Sequence, residues 1–190
     1  PENAMRIKNT IEYLRSASIW QKLDLKKPRA ATIEEVSTVH TINQIEEVAE
    51  IAKAGGGYLD PDTHVSPDSY EAALYASGAL LTAIDLVMDK KTDNAFCLVR
   101  PPGHHSTPAK AMGFCLFNNV AIAAKYIQSE YNLDRVAIID WDVHHGNGTQ
   151  DAFYDDPSVL YFSMHKYPFY PGTGAKEETG KGSGSGFTIN

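Results

Sequence analysis

Cysteine is scarce: Cys97 and Cys115 are the only two in 190 residues, each inside an apolar stretch. Two such thiols read as core residues, which excludes a disulfide framework and a cysteine-rich zinc site. No unbroken apolar run approaches the roughly 20 residues a membrane span needs. No basic stretch leads into an apolar one at the start, so no signal peptide is visible. Basic charge is also short: Lys and Arg number 17 against 24 Asp and Glu, a formal net charge of −7. That balance argues against a nucleic-acid backbone as the main partner and suits a cationic substrate. Internal repeats are absent, and residues 172–186, rich in Gly, Lys, Glu and Ser, read as a long surface loop. The remainder is ordinary, 43% hydrophobic and 22% charged, as expected of one globular domain away from membranes, in the cytoplasm by default.

Helical and strand patterns alternate along the chain. Ile7, Ile11 and Leu14 recur at helical spacing, as do Ile45, Val48, Ala49 and Ala52, the latter closed by Gly55-Gly56-Gly57. A longer helix is predicted from Ser66-Pro67, serine as N-cap and proline in the first turn, burying Ala72, Ala73, Ala76, Leu80, Ala83, Ile84 and Val87. Another is predicted over 118–130 on Val120, Ala124 and Ile127. Three short apolar runs, 95–99, 136–139 and 159–162, have the continuous apolarity of strands covered on both faces. The expected fold is therefore α/β, a three-layer αβα arrangement with a mainly parallel central sheet. Residues 187–190 look like a strand beginning without a partner, and both ends read as cuts in a longer sequence.

In such folds ligands gather at the carboxyl ends of strands. After the first run comes Arg100-Pro101-Pro102-Gly103-His104-His105. After the second comes Asp140-Trp141-Asp142-Val143-His144-His145-Gly146-Asn147-Gly148, and after the third Ser163-Met164-His165. Five of the seven histidines fall in these exits. In an extended chain Asp140, Asp142 and His144 project to one side and Trp141 and Val143 to the other. Asp142 and His144 would supply two of the three protein ligands usual for catalytic zinc. The His104-His105 pair suits general acid–base work, provided an acceptor fixes each tautomer; Asp140 and Asn147 are candidates for that. Solvated acids at a strand end and loop histidines after a Pro-Pro turn are the plain alternative.

These segments, with Gly113-Phe114-Cys115-Leu116-Phe117-Asn118-Asn119 and Tyr170-Pro171-Gly172-Thr173-Gly174, resemble the histone deacetylase superfamily. That superfamily includes acetylpolyamine amidohydrolases and acetoin-utilisation-type proteins. The resemblance runs from Pro1-Glu2-Asn3, similar to an early His-Pro-Glu segment, to the last residue. It implies one partial deacetylase domain over residues 1–190, of the arginase/deacetylase type. It implies a zinc cofactor held by Asp142 and His144, with His105 as general acid–base, His104 as its electrostatic partner, Asp140 behind His104 and Asn147 behind His105. Asparagine at 147 is similar to the class II branch.

It further implies a structural K+ or Na+ ion on Asp140, Asp142, the His144 backbone oxygen, Ser163 and the Met164 backbone oxygen. Gly113, Phe114 and Tyr170 match the acyl-lysine channel, and Asp60-Pro61-Asp62-Thr63 resembles the acidic rim that orients the substrate backbone, with Asp62 preferred. The implied substrates are acetylated lysine peptides, acetylpolyamines or small amides, and oligomers are possible. His40, His64 and His165 carry no assignable role. The family's third zinc ligand, an aspartate in an Ala-Gly-Phe-Asp-type segment, and its oxyanion-stabilising tyrosine have no counterpart here, so the chain alone is expected to be nearly inactive. The rival readings are a non-catalytic acyl-binding pseudo-deacetylase and an arginase-type manganese hydrolase, which Asn147 between two glycines fits poorly.

Overall fold

The computed structural model describes residues 2–190; Pro1, part of the early matching segment, lies outside them. Helix α1, Ala4–Ser16, carries no fully buried residue, and a 3-10 turn follows at Ser18–Lys22. Helix α2, Ile33–Ser37, survives at five residues because Thr32 and Glu35 form a reciprocal capping box. Glu35 also receives two hydrogen bonds from the Arg29 guanidinium, at 2.8 and 2.6 Å. Helix α3, Ile42–Lys53, buries the predicted Ile45, Val48 and Ala52 along with Gln44.

Strands β1, Gly57–Tyr58, and β2, His64–Val65, form a short antiparallel hairpin that bears the acidic loop 59–63. Helix α4 spans Ser69–Met88. It starts later than the Ser66 cap predicted for it: Ser66 and Pro67 lie in the preceding turn, where the Ser66 N–H donates to Ser69 Oγ at 2.8 Å. By length and composition α4 could cross a membrane, a property hidden from a search for unbroken runs because polar residues interrupt it. Here it packs along helix α5, Asn119–Tyr131, burying Ala73, Ala76, Ser77, Gly78 and Leu81.

Strand β3, Val136–Asp140, pairs in parallel with β4, Val159–Ser163, with helix α6, Asn147–Phe153, as the crossover. Strand β5, Thr188–Ile189, adds in parallel to β4, so the strand expected to lack a partner has one. Residues 95–99, predicted as a strand, are irregular. Their apolarity favoured a strand, but a strand exists only through ladder hydrogen bonds, and no described strand pairs with them.

Helix α5 is the centre of the packing. Its Ile122 and Ala123 join a core with Val36, Ile45, Val48, Leu81 and Phe117. Its Ala121 and Ala124 join a second with Ile138, Phe153, Val159 and Tyr161. Small alanines on both flanks let a helix be approached this closely from two sides. Burying a side chain such as Phe117 or Ile122 stabilises by about 1.5–3 kcal/mol. The opposite face of the sheet, Ala137 and Ile139 in register with Leu160 and Phe162 and then Ile189, is open at its β3 edge, where Ile139 is 57% exposed, while Leu160 and Phe162 are half-buried.

Candidate active site

The three parallel strands bring their exits to one rim. Beyond β3, Trp141 (78% exposed) and Val143 (51%) turn outward. The intervening polar residues fold back on one another: the Asp142 N–H donates to Asp140 Oδ1 at 3.1 Å and the His144 N–H to Asp142 Oδ1 at 2.8 Å. Asp142 Oδ1 and His144 Nδ1 lie 3.2 Å apart, both half exposed.

His104 and His105 stack at 4.0 Å between ring centroids, and each has the acceptor its tautomer needs. His104 Nδ1 is 2.9 Å from Asp140 Oδ2 and His105 Nδ1 is 3.0 Å from Asn147 Oδ1. The backbone beneath them is fixed by helix α6: the Gly148 and Thr149 N–H groups both donate to the His104 carbonyl, at 2.9 and 3.2 Å. Gly146, just before that helix, admits no side chain, because a Cβ there would collide with Asp140 Oδ2 and the Tyr161 hydroxyl. Burial and then the neighbouring His104 push the His105 imidazole down to about 4, so it is neutral at neutral pH. Burial opposes ionisation of Asp140, but its hydrogen bond with His104 holds it below the usual carboxylate range.

Tyr170 stands perpendicular to His105 at 5.0 Å and lies 6.2 Å from His144. Gly113 passes directly over the His105 ring. Burial, then the charge of Asp62, raises the Tyr170 hydroxyl to about 12. Asp62 and Phe114 both line a cleft of about 470 Å³, whose lining includes none of His104, His105, His144 and Tyr170. Of the cation candidates, Asp140 and Ser163 are register partners, and the Met164 N–H donates to the Asp140 carbonyl at 2.8 Å. The Ser163 hydroxyl is engaged with His165 Nδ1 at 2.8 Å.

Several supporting residues escaped the sequence reading. Tyr161 donates its hydroxyl to Asp140 Oδ2 at 3.2 Å; its place in an apolar strand disguised it as core. His145 and His165 stack at 4.7 Å, and Gly174 packs against both rings. His145 reaches Thr173 Oγ1 at 2.8 Å and His165 reaches the Gly174 carbonyl at 2.9 Å, which anchors the loop carrying Tyr170. Glycine-threonine-glycine after an aromatic was the one available signal.

The donor chemistry can be tested against zinc. Tetrahedral zinc with bonds of about 2.0–2.2 Å places neighbouring donors roughly 3.3 Å apart, and the 3.2 Å between Asp142 Oδ1 and His144 Nδ1 meets that. Among the described residues no group of three or more His, Cys, Asp or Glu gathers as a metal site. Among the described residues, Asp142 and His144 therefore form the fitting pair.

Imidazoles each held by an acceptor, beside accessible carboxylate and imidazole donors that follow strand β3, are equipment for acid–base and metal chemistry. The chain belongs to the histone deacetylase family: the Histone deacetylase domain matches residues 1–190. It is 41% identical over 192 residues to a probable deacetylase of Archaeoglobus fulgidus, covering all of this chain and 53% of that protein. It is 39% identical over 191 residues to a histone deacetylase-like amidohydrolase of Pseudomonas aeruginosa, covering all of this chain and 50% of that protein. A crystal structure of the HDA15 HD domain superposes with a TM-score of 0.96 at 38% identity, over all of this chain and 55% of that one. The chain thus spans about half the length of these relatives.

Proposed function

We propose that this chain carries the acid–base side of a zinc-dependent amide hydrolase that removes an acetyl or similar acyl group from a lysine side chain or a polyamine. The observation that carries the reading is the tandem pair, His104 backed by Asp140 and His105 backed by Asn147, within ring distance of His144. Deacetylase and amidohydrolase relatives support it. Asp142 and His144 would hold the zinc, which when bound supplies Lewis-acid polarisation of the amide and acidifies water to a pKa of about 7.

The two histidines divide the labour by their partners. Asn147 Oδ1 can only accept, so His105 carries its proton on Nδ1 and leaves the Nε2 lone pair free. That nitrogen takes the proton of the attacking water and then returns it to the leaving amine. His104 faces a carboxylate, whose hydrogen bond orients its ring as the electrostatic partner of His105. Phe114 and Tyr170 would flank the acyl-lysine stem, and Asp62 would accept an N–H of the substrate backbone. Asp140, Asp142, the His144 oxygen, Ser163 and the Met164 oxygen would hold K+ or Na+ as a structural ion. Asn147 serves as partner to His105, which speaks against the arginase-type reading.

With two zinc donors, the 190 residues alone are proposed to turn over little substrate. The test is hydrolysis of an acetyl-lysine peptide by the longest reading frame that contains this chain, stripped of metal and reloaded with zinc. H105A should lose about 10²–10⁴-fold in rate, and activity should follow zinc. Hydrolysis indifferent to both the substitution and chelation would overturn the proposal.

A further inference from the structure

We propose that Thr63 is a positioning residue that clamps the acidic rim at Asp62 to the aromatic wall at Phe114, setting how tightly an acyl-lysine stem is gripped. The ligand class rests on the function proposed above; the clamp rests on geometry. Thr63 is fully buried between two exposed neighbours, Asp62 and His64. Each of its polar groups is engaged. Its N–H donates to Asp60 Oδ1 at 2.7 Å and its carbonyl accepts from the Leu59 N–H at 3.0 Å, which fixes its place in the hairpin loop. Its hydroxyl donates to Asp62 Oδ1 at 3.3 Å and accepts the Phe114 N–H at 3.1 Å, from a segment 51 residues away. A threonine hydroxyl has one proton, so giving it to the carboxylate leaves a lone pair for the amide.

The segment it holds requires holding. Gly113 has φ +59° and Phe114, a bulky residue, has φ +65°. Left-handed backbone is unfavourable for such a residue and persists where surrounding contacts enforce it. The turn is closed by reciprocal bonds between Met112 and Cys115, at 3.1 and 3.0 Å. The Phe114 amide within it is held from outside by Thr63. Behind the turn stands the catalytic pair: a Cβ on Gly113 would come within 2.5 Å of His105 Cδ2. A relaxation of Phe114 is therefore transmitted in two directions, toward the channel wall and toward the His105 ring. Thr63 touches neither the base nor the zinc donors, so its effect is on grip and alignment.

The experiment uses the 15N-labelled chain and its Thr63→Val and Thr63→Ser variants. Valine keeps the shape and removes the hydroxyl; serine keeps the hydroxyl. The readouts are amide hydrogen exchange at Phe114 against Met112 and Cys115, and the affinity of a fluorescein-labelled acetyl-lysine peptide by anisotropy. T63V should speed Phe114 exchange and weaken peptide binding by about five- to tenfold each, the size of one net hydrogen bond. T63S should restore both, while Met112 and Cys115 stay protected in all three. Uniform loss of protection across the turn, or a serine variant that behaves like valine, would overturn the clamp. So would peptide affinity that is unchanged in T63V. Selective loss at Phe114 in a chain that binds no acetyl-lysine peptide supports the clamp and counts instead against the deacetylase reading.

Discussion

The Nε2 of His40 accepts the backbone N–H of Asn118 at 2.8 Å, joining residues 78 apart in the chain. On the other side of the ring, Nδ1 donates to the Thr107 carbonyl at 3.0 Å. From helix α3, which begins two residues later, Gln44 Nε2 donates to Ser106 Oγ and the Leu116 carbonyl, at 2.9 and 3.0 Å. The loop from the tandem histidines to Asn118 is thus pinned from beneath by α3 and by His40, two residues before it. His40 had no role in the sequence; here it fastens the site's floor.

A pH dependence follows from that pin. Burial drives the His40 imidazole down to about 4, because a proton on Nε2 would face a donor. The folded state excludes the proton while the unfolded chain takes it up below its ordinary 6.5. Stability is therefore whole above pH 6.5 and falls as the pH drops from there to about 4. At about 1.4 kcal/mol per pH unit the window is worth about 3 kcal/mol. Urea unfolding at several pH values, for wild type and His40→Gln, isolates it: the variant should start less stable at pH 7 and lose less on acidification.

Zinc should be held loosely by the isolated chain and not at all by Asp142→Asn. Competition with a zinc-sensitive dye measures this directly. The expected wild-type affinity lies well short of the approximately 10–16 kcal/mol of complete structural sites, because two donors fit and no cluster of three is present among the described residues. Tight stoichiometric zinc in the chain would mean that a further donor is recruited, for example by pairing two molecules.

Gly146→Ala should destabilise the fold by about 1–3 kcal/mol, since the added methyl meets Asp140 Oδ2 and the Tyr161 hydroxyl, two groups already in mutual contact. Denaturant titration gives the size. A histidine-observed spectrum should place the change at His104, whose Nδ1 lies 3.1 Å from the position the new carbon would take.

The uncovered sheet face makes a third kind of prediction. Ile139 and Trp141 are 57% and 78% exposed, next to each other in the same rim. An apolar parallel sheet open on one side binds hydrophobic dyes and associates with itself. The double variant Ile139→Lys, Trp141→Lys should reduce dye fluorescence and shift the chain toward monomer in size-exclusion chromatography, with its helical circular dichroism unchanged.

Much of this was legible from residue order. Helices α3 and α5 declare themselves through apolar spacing, with Thr41 and Asn118 as working caps, and β3 and β4 through unbroken apolarity. The acceptors behind His104 and His105 were also readable, because Asp140 and Asn147 follow the apolar run of β3, although the histidines themselves leave an irregular segment rather than a strand. What escaped depends on partners rather than on pattern. Residues 95–99 have strand composition but no ladder, whereas Thr188 and Ile189 gain one from β4, across a loop whose path composition does not reveal. Helices α2 and α6, five and seven residues long, are too short for periodicity. Thr63, Tyr161 and His40 are ordinary residue types whose meaning comes from atoms dozens of positions away.

The spans between His104 and Asp140, 36 residues, and between His105 and Asn147, 42 residues, have a kinetic consequence. Helices form from neighbours, but each of these pairs requires a long loop to close and a parallel crossover to be in place first. On refolding, the far-ultraviolet helix signal is expected to recover ahead of the near-ultraviolet aromatic signal, with the chemistry-bearing rim assembled in the slower phase. Any agent that traps the chain between those phases would leave it helical and collapsed, with its histidines still unpaired.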